Sequence, residues 1–469
     1  MSGLLSIFLI LAPQAPAPPA PPPATSAPPP AAAPATSALF GSVPTGTATP
    51  GLLPLSLADA IDRALKSNLG LFLAEQGVRA ARGARWEALG DVLPHLIARF
   101  SAVRQKINLE AFGFSGFPGI PTVVGPFNVF DTRVYVSDDL DLKGLYKARA
   151  EQRRVEAARW TYQDARELVV LVAGNLYLQA LADQSRIDVA RAELETARAL
   201  HQLALDRKAS GLVPGIDVLR AEVEARSREQ RVIAAETRAA RSKLDLARAI
   251  GLPLGQEIQL VDPMPSGAAP SITIEEAAQK AFENRSDWKA AQARVRAAED
   301  ARRSALGEGL PGLSLNADYG AIGQTLGGAR NTYTLAGGVR VPLFEGGRAI
   351  GKVLEADAAL QSARASLEDL RGRIDYDVRA AGLDLKSAVA RREVAERAVD
   401  LAREQLQQAQ DRFRAGVANN VEVVQAQQAV AAAEEDLISS AYDVNLGRAA
   451  LGRAVGLAEE GFRQLVRGH

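Results

Sequence analysis

The sequence predicts a mainly α-helical protein with a membrane β-barrel portion, built from two tandem copies of a strand-hairpin and helix-hairpin unit. Three observations predict this fold. Aromatic residues make up only 5% of the 469 residues, long stretches are rich in Ala, Leu, Arg, Glu and Gln, and the chain repeats itself at a nearly constant offset. This composition is typical of long helices with narrow apolar seams, not of one compact core.

The first element is a short apolar run from Leu4 to Ala12. It falls far below the roughly 20 residues that a membrane-spanning helix requires. We therefore interpret residues 1–12 as a signal peptide, with a mis-assigned start or an irrelevant apolar tail as alternatives. No later run looks long and apolar enough for a spanning helix, so we expect any membrane crossing to use strands of a closed barrel.

A proline-rich segment follows at residues 13–54. Thirteen of the 25 prolines fall within residues 13–50. Because proline removes backbone donors and fixes φ, this composition disfavours both helix and sheet. We expect a flexible or polyproline-like tether.

Two copies of one unit occupy most of the remaining chain. The segment Leu57 to Ala64 matches Ile274 to Ala281 at an offset of 274 − 57 = 217 residues. We predict a first repeat at 55–255, a linker at 256–273, a second repeat at 274–457 and a C-terminal tail at 458–469. Later matches occur at an offset of 416 − 211 = 205, namely Gly211 with Gly416, Asp217 with Glu422, and Gly251 with Gly456.

Each copy contains two stretches of about ten residues in which apolar and polar side chains alternate. From Leu313 to Tyr319 the odd positions are apolar and the even positions polar. A tilted strand of this length crosses a bilayer. The segment near 106–128 is either an extracellular cap or a longer pair of strands. Polar strand residues are candidates for a channel lumen, with solvated faces as the alternative: Asp131, Arg133, Asp318 and Arg340.

The helices carry apolar residues at alternating spacings of three and four, as at Val399, Ala402, Leu406, Ala409 and Phe413. This spacing predicts supercoiling against neighbouring helices. We predict long helices at 144–208 and 347–414 and shorter ones at 57–90, 215–250, 274–308 and 419–455. Two short helices stacked end to end match one long helix. A layered tube explains this match, whereas unrelated bundles would not require it; a soluble coiled coil remains the alternative for the seam.

Four strands cannot close a membrane barrel, which needs about eight or more. Open strand edges in lipid would leave backbone groups unpaired. Several copies of the chain are therefore expected to contribute strands to one barrel.

Charge and chemistry exclude other classes. The 55 basic and 55 acidic residues balance, without the isolated basic block expected of a nucleic-acid binder. The absence of cysteine excludes disulfides and thiol chemistry. Three scattered histidines make a zinc site unconvincing. We find no catalytic constellation and expect neither enzymatic activity, nor a metal, nor a cofactor.

The repeat, the element order and three local patterns resemble the TolC family of outer-membrane efflux proteins. The patterns are the opening Leu57 to Ala64, the glycine-marked junction Pro342 to Gly347, and the helical tips Arg207 to Ala221 and Arg412 to Ala426. The resemblance implies a homotrimer with a twelve-stranded barrel in the outer membrane and an α-helical tube in the periplasm. It also implies a passive duct whose tip docks a periplasmic adaptor attached to an inner-membrane pump. A non-conducting periplasmic coiled-coil protein, structural or adaptor-like, is the alternative.

The helical tips supply the candidate site residues. Glycine tolerates left-handed φ, so Gly211 and Gly416 are expected to end the long helices. Asp217 and Glu422 are expected to start the return helices, where the helix dipole favours either carboxylate. Asp217 suits a helix N-cap or first turn, whereas glutamate is a poor N-cap. The alternative for both is a carboxylate ring that narrows the pore entrance. The resemblance implies an adaptor-contact surface, with packing inside each hairpin as the alternative for its apolar members: Arg207, Gly211, Leu212, Val213, Arg412, Gly416, Val417 and Ala418.

Overall fold

The computed structural model describes residues 36–467, apart from 45, 114–120, 267–271, 416, 418 and 419. Two long helices dominate it, α4 (Leu142–Ala209) and α8 (Arg348–Arg414), with 68 and 67 residues. Their return helices are α5 (Gly215–Ala249) and α9 (Asn420–Val455). These bounds confirm the predicted helices to within two residues. The predicted seam is also confirmed, since Val399, Ala402, Ala409 and Phe413 are buried and Leu406 is partly buried.

The helix before each strand pair is interrupted, although the sequence predicted one continuous helix. The first copy has α2 (Leu57–Ser67) and α3 (Leu69–Gly90), and the second has α6 (Ile274–Asn284) and α7 (Ser286–Gly307). The interruptions fall at Asn68 and Arg285, which the 217-residue offset aligns. The Asn68 side chain caps α3 by accepting from the Gly70 and Leu71 amides, and it donates to the Leu39 carbonyl at 2.6 Å. These bonds stabilise the break.

The return helices end against these interruptions. Gly251 and Gly456 adopt left-handed φ of +74° and +80°. A Cβ on Gly251 would lie 2.3 Å from the Ser67 hydroxyl, and one on Gly456 would lie 2.7 Å from the Arg285 amide nitrogen. Glycine is therefore required at both points. The contacts confirm that α3 and α5 meet end to end beside a long helix, and that α7 and α9 do the same in the second repeat.

The helices form four parallel columns. On one side of α4 lie α3 and α5, and on its other side lie α7 and α9; α8 packs beyond α7 and α9. We call α3 with α5 the first outer column and α8 the second outer column. The long helices α4 and α8 therefore alternate with the two stacked pairs.

Four antiparallel strands extend from one end of the columns. They are β2 (His95–Asn108), β3 (Val123–Leu140), β5 (Gly312–Gly323) and β6 (Arg330–Arg340), hydrogen-bonded in the order β2-β3-β5-β6. The first two have 14 and 18 residues. For the segment near 106–128, the alternative of a longer strand pair is therefore correct at both ends, because β2 continues to Asn108 and β3 begins at Val123. The aromatic stretch that includes Phe114 and Phe117 lies outside the described residues.

Short elements join the two ends of the first repeat beside its interruption. Strand β1 (Leu53–Leu55) pairs in parallel with β4 (Ile258–Leu260). The buried Tyr177 hydroxyl of α4 donates to the Leu55 carbonyl at 3.0 Å or to the Asp262 carboxylate at 2.9 Å. The predicted linker thus contains a strand within the main apolar core.

Both ends of the described chain differ from the predictions of a tether and a tail. Residues 36–54 are not free chain: they include α1 (Thr36–Leu39), and the Val43 amide bonds to the Ser67 carbonyl at 2.8 Å. The tail predicted at 458–469 contains α10 (Ala458–Arg467), whose Phe462 is buried against Gly174 of α4. Apolar contacts hold both segments, which proline content and position did not reveal.

One expectation about membrane segments was wrong. Helix α4 contains an 18-residue stretch with mean hydropathy 1.2, which by length and composition alone is sufficient to cross a membrane. However, 56% of that stretch is buried inside the protein. Its apolar character follows from packing in the helical core, because α4 lies between two columns.

Candidate functional site

The strand register places most apolar residues of the four strands on one face of the sheet, although Ile97, Val103 and Ile322 lie on the opposite face. Directly paired residues share a face, and Val134 pairs with Tyr319, which in turn pairs with Tyr333. This face is open in the single chain: Phe100 and Tyr333 are each 78% exposed, and Leu335 is 81% exposed. An apolar face of this size is suited to contact with lipid or protein.

The opposite face carries a polar cluster that joins three strands. The Arg133 guanidinium bonds to the carboxylates of Asp131 and Asp318 and donates to the Thr332 hydroxyl at 2.8 Å. Gly320 leaves room beside it, because a Cβ there would lie 2.7 Å from the Arg133 Cα. Three of the four predicted lumen residues therefore come together. Arg340 pairs with Gly312 and shares the polar face, but lies at the helical end of the sheet, away from this cluster.

The first helical tip is closed by a glycine in the expected conformation. Gly211 has φ +73°, and its amide bonds to the Lys208 carbonyl at 3.0 Å. The Leu212 amide bonds to the Arg207 carbonyl at 2.9 Å, which completes a Schellman turn. Leu212 is left 72% exposed, whereas Val213 is half-buried.

The second tip shows the same closure where it is described. The Val417 amide bonds to the Arg412 carbonyl at 3.1 Å, at positions equivalent to Leu212 and Arg207. Val417 is 69% exposed. Gly416 and Ala418 lie outside the described residues, so their predicted roles remain predictions.

Arg207 joins the two tips. Its guanidinium donates 2.7 Å hydrogen bonds to the carbonyls of Phe413 and Arg414, the last residues of α8. It also stacks on the Phe413 ring, 4.6 Å from the centroid. Arg412, at the matching position, pairs with Glu422 at 3.3 Å instead. The repeat thus uses equivalent arginines differently.

The two tip acids occupy matching positions in the first turns of α5 and α9. Pro214 is the N-cap of α5, so the interpretation of Asp217 as an N-cap was wrong and the first-turn alternative applies. Asp217 is buried and contacts Arg220 at 3.3 Å. The Glu422 side chain is 47% exposed beside Arg412. Each carboxylate is favoured there by the helix dipole.

Sequence reasoning missed a partly buried ion cluster at the level of the interruptions. Arg453 of α9 bonds to Asp164 and, at 3.4 Å, to Glu167, both on α4. Burial raises the pKa of Glu167 to about 7, against the opposing effect of Arg453. Aligning the repeats would have given a signal, because Arg453 and Asp164 match Arg248 and Asp369.

A second cluster was also missed, where the helices meet the sheet. Glu308, at the end of α7, accepts from Arg348 and Lys352 of α8 at 2.7 Å and lies 3.4 Å from Lys143 of α4. Burial acts to raise the pKa of Glu308, but the hydrogen bonds from Lys352 and Arg348 outweigh it and lower that pKa to about 2. One carboxylate thus links three columns.

Comparison with known proteins identifies the family. The pyoverdine export outer membrane protein OpmQ of Pseudomonas putida is 25% identical over 65% of this chain and 66% of its own length. The outer membrane protein TolC of Vibrio cholerae is 22% identical over 90% of this chain and 95% of its own. The solved structure of VceC from Vibrio cholerae superposes with a TM-score of 0.75 at 21% identity, covering 85% and 96% of the two chains.

The fold is therefore that of the TolC-like channels, mainly α with a β portion. The model of the family described as outer membrane efflux protein matches two segments, residues 60–252 and 277–457. These segments include both helical hairpins and all four strands of the sheet. The chain belongs to the outer membrane efflux protein family.

Proposed function

We propose that three copies of this chain form one outer-membrane channel, the passive exit duct of a tripartite efflux or secretion system. An inner-membrane pump would deliver substrates through a periplasmic adaptor. The family is one of channels, not enzymes. Relatives named for pyoverdine export and for alkaline protease secretion support an export role.

One observation carries the proposal: the sheet has two open edges, β2 and β6. Strand β2 follows α3 of the first outer column, and β6 leads into α8, the second outer column. Each open edge thus lies on the same side as an outer column. A head-to-tail contact would pair β6 with β2 and, in the same step, pack α8 against α3 and α5. Three copies would give twelve strands, enough for a closed barrel.

The two sheet faces support a membrane location. In a closed barrel the apolar face would contact lipid, and the polar face would line the lumen with Asp131, Arg133, Asp318 and Arg340. Backbone groups at the joined edges would then be paired, as hydrocarbon surroundings require.

The helical tips are the proposed adaptor surface. Leu212 and Val417 are strongly exposed at equivalent points, and exposed apolar side chains at a tube end suit a protein partner. Val213, Arg207, Gly211 and Arg412 adjoin them, and Gly416 with Ala418 completes the proposed set. Of the two pore-entrance candidates, Glu422 is the stronger, because its carboxylate is more exposed than that of Asp217.

Native mass spectrometry of protein extracted from outer membranes tests the assembly. The proposal expects a mass of three chains in the outer-membrane fraction. A monomer recovered from soluble periplasmic extract would contradict it and favour the non-conducting coiled-coil alternative.

A further inference from the structure

The first repeat packs α3 on α4 in the same way that the second packs α7 on α8. Lys147 of α4 bonds to Asp91 at 2.6 Å, and its counterpart Lys352 of α8, at 352 − 147 = 205, bonds to Glu308 at 2.7 Å. Asp91 and Glu308 match at 308 − 91 = 217, the offset between α3 and α7. We call the contact of α3 with α4 the first groove and that of α7 with α8 the second groove. Matching side chains therefore occupy matching places in the two grooves.

The second groove contains an ion pair that the first groove cannot form. Arg364 of α8 bonds to Glu299 of α7 at 2.9 Å. The counterparts are Arg159 of α4, at 364 − 159 = 205, and Arg82 of α3, at 299 − 82 = 217. An arginine thus stands where the second repeat has the acid, and two guanidinium groups face each other in place of an ion pair.

A second position along the first groove has also lost its acid. Arg302 of α7 bonds to Asp357 of α8 at 2.8 Å. Their counterparts in the first repeat are Arg85 and Gln152, at the same two offsets. Within the part of the chain that the structure describes, three arginines of the first groove consequently make no ion pair: Arg82, Arg85 and Arg159.

A cleft with a volume of about 550 Å³ lies in the first groove beside two of these arginines. Arg82 and Arg159 line it together with the aromatic residues Trp160 and Tyr162. Its volume is within the range of small-molecule sites. In the second groove, aliphatic residues occupy the two aromatic positions: Ala365 and Leu367. The first groove therefore combines unpaired positive charge with aromatic rings that the second groove lacks.

Two glutamates also line the cleft, but each is paired with an arginine outside it. Glu75 bonds to Arg79 at 2.8 Å, and Glu156 bonds to Arg296 at 3.0 Å. The charges of both glutamates are therefore balanced without the two arginines of the cleft. The cleft is left with a net positive charge, which favours an anionic ligand.

We propose that this cleft binds an organic phosphate whose flat apolar part packs on Trp160 and Tyr162. Guanidinium groups bind phosphate through paired hydrogen bonds and also stack on aromatic rings. A phosphate monoester carries about −1.5 to −2 charges at neutral pH, which matches the facing Arg82 and Arg159 better than a single carboxylate does. Arg85, one turn from Arg82 on α3, adds positive charge beside the cleft.

The ligand is a soluble phosphate ester, not a lipid headgroup. Arg159 lies 159 − 142 = 17 residues after the first residue of α4, about 26 Å along the helix. A headgroup layer is only about 5–8 Å thick, so it ends well before the cleft if the sheet spans the bilayer. This step alone rests on the proposed function, because binding itself requires only α3 and α4 of one chain.

Tryptophan fluorescence reports on this site, because the chain has three tryptophans and Trp160 lines the cleft. We would remove the other two with Trp86→Phe and Trp288→Phe and titrate the full-length protein in detergent with 4-nitrophenyl phosphate, whose ring quenches indole emission. We expect saturable quenching by this ester. The neutral 4-nitrobenzyl alcohol, which has a similar ring, should give no saturable quenching in the same concentration range.

Arg82→Glu is the most informative variant, because it introduces the acid that Glu299 provides in the second groove. The new carboxylate should pair with Arg159 as Glu299 pairs with Arg364, so the variant should unfold at no lower temperature. Its affinity for the ester should fall about tenfold or more, as expected for the loss of one charge-assisted hydrogen bond. The matched control is Glu299→Gln, which breaks the pair in the second groove and should leave binding unchanged.

Three outcomes would overturn the inference. They are unchanged affinity in Arg82→Glu, equal saturable quenching by the neutral alcohol, and loss of binding in Glu299→Gln as well as in Arg82→Glu. Phosphatidylglycerol added to the detergent micelles should not displace the ester, and displacement would overturn the choice of a soluble ligand. A protein that binds the ester as expected but neither assembles nor conducts ions would contradict the proposed function and leave the binding site standing.

Discussion

The Arg207 guanidinium caps the helix that ends at Phe413 and Arg414, while its plane stacks on the Phe413 ring at 4.6 Å. One residue of the first hairpin thereby satisfies two terminal carbonyls of the second. Both hydrogen bonds involve a charged donor, which makes them stronger than neutral bonds. This contact joins the two tips, together with the packing of Leu200 and Leu203 of α4 against the cluster that contains Phe413.

Replacing Arg207 should loosen the end of α8. We expect Arg207→Ala to cost about 1–3 kcal/mol of local stability, seen as faster hydrogen exchange in the last turn of α8. Arg207→Lys should restore little, because lysine cannot provide a planar fork for two carbonyls and a ring. Arg198→Ala, which removes an exposed pair with Glu229, is the control. Equal exchange in all four proteins would contradict this role.

The contact between Gly174 and Phe462 predicts a compensating pair. A Cβ on Gly174 would lie 2.3 Å from the Phe462 ring, so Gly174→Ala should displace α10 and increase proteolysis near the C-terminus. Phe462→Ala alone leaves a cavity. The added methyl should therefore have a much smaller effect in the Phe462→Ala background. An equal effect of Gly174→Ala in both backgrounds would show that the two residues do not interact.

The raised pKa of Glu167 predicts a pH-dependent stability. The folded protein holds this proton up to a pKa of about 7, whereas the unfolded chain releases it near the ordinary value of 4.5. The contribution of Glu167 to the free energy of unfolding is therefore fully present below pH 4.5 and is lost as the pH rises through 7. Glu167→Gln should remove this decline and stabilise the protein at pH 8 by up to about 3 kcal/mol. Thermal unfolding from pH 5 to 8 measures the difference, and parallel curves for both proteins would exclude it.

Glu308 should show the opposite dependence. Its folded pKa of about 2 lies below the ordinary 4.5, so its contribution is present above pH 4.5 and is lost as the pH falls through 2. We expect Glu308→Gln to destabilise the protein by about 1–2 kcal/mol at pH 7, a value reduced because Arg348 and Lys352 are partly exposed. As the pH is lowered from 7 to 3, the free energies of unfolding of the unmodified protein and of Glu308→Gln should converge. A constant difference would contradict the ion-pair explanation.

Removing the exposed tip carboxylate should change ion flow. We expect Glu422→Ala to raise single-channel conductance or weaken block by divalent cations, since a carboxylate ring at the entrance favours cations. Glu393→Ala, 21 residues before the end of α8, is a control far from the tip. If Glu422→Ala and Glu393→Ala behave like the unmodified protein in bilayers, Glu422 has only a local structural role beside Arg412.

Sequence periodicity predicted the regular parts of this fold and missed contacts between distant segments. The seam through Val399 and Phe413 was readable because burial on a helix repeats every three or four residues. The break at Asn68 was missed because it is stabilised in part by a hydrogen bond to Leu39, in a segment outside the predicted helix. The clamp at Arg207 was missed because a spacing pattern within one helix does not show which neighbouring helix end an arginine reaches.

Single-channel recording in planar bilayers tests the central claim most directly. Protein purified from outer membranes as a three-chain assembly should produce discrete, ohmic conductance steps, which Glu422→Ala should alter. Insertion without conductance steps, under conditions in which the three-chain assembly stays intact, would contradict the account of this chain as one protomer of an export channel.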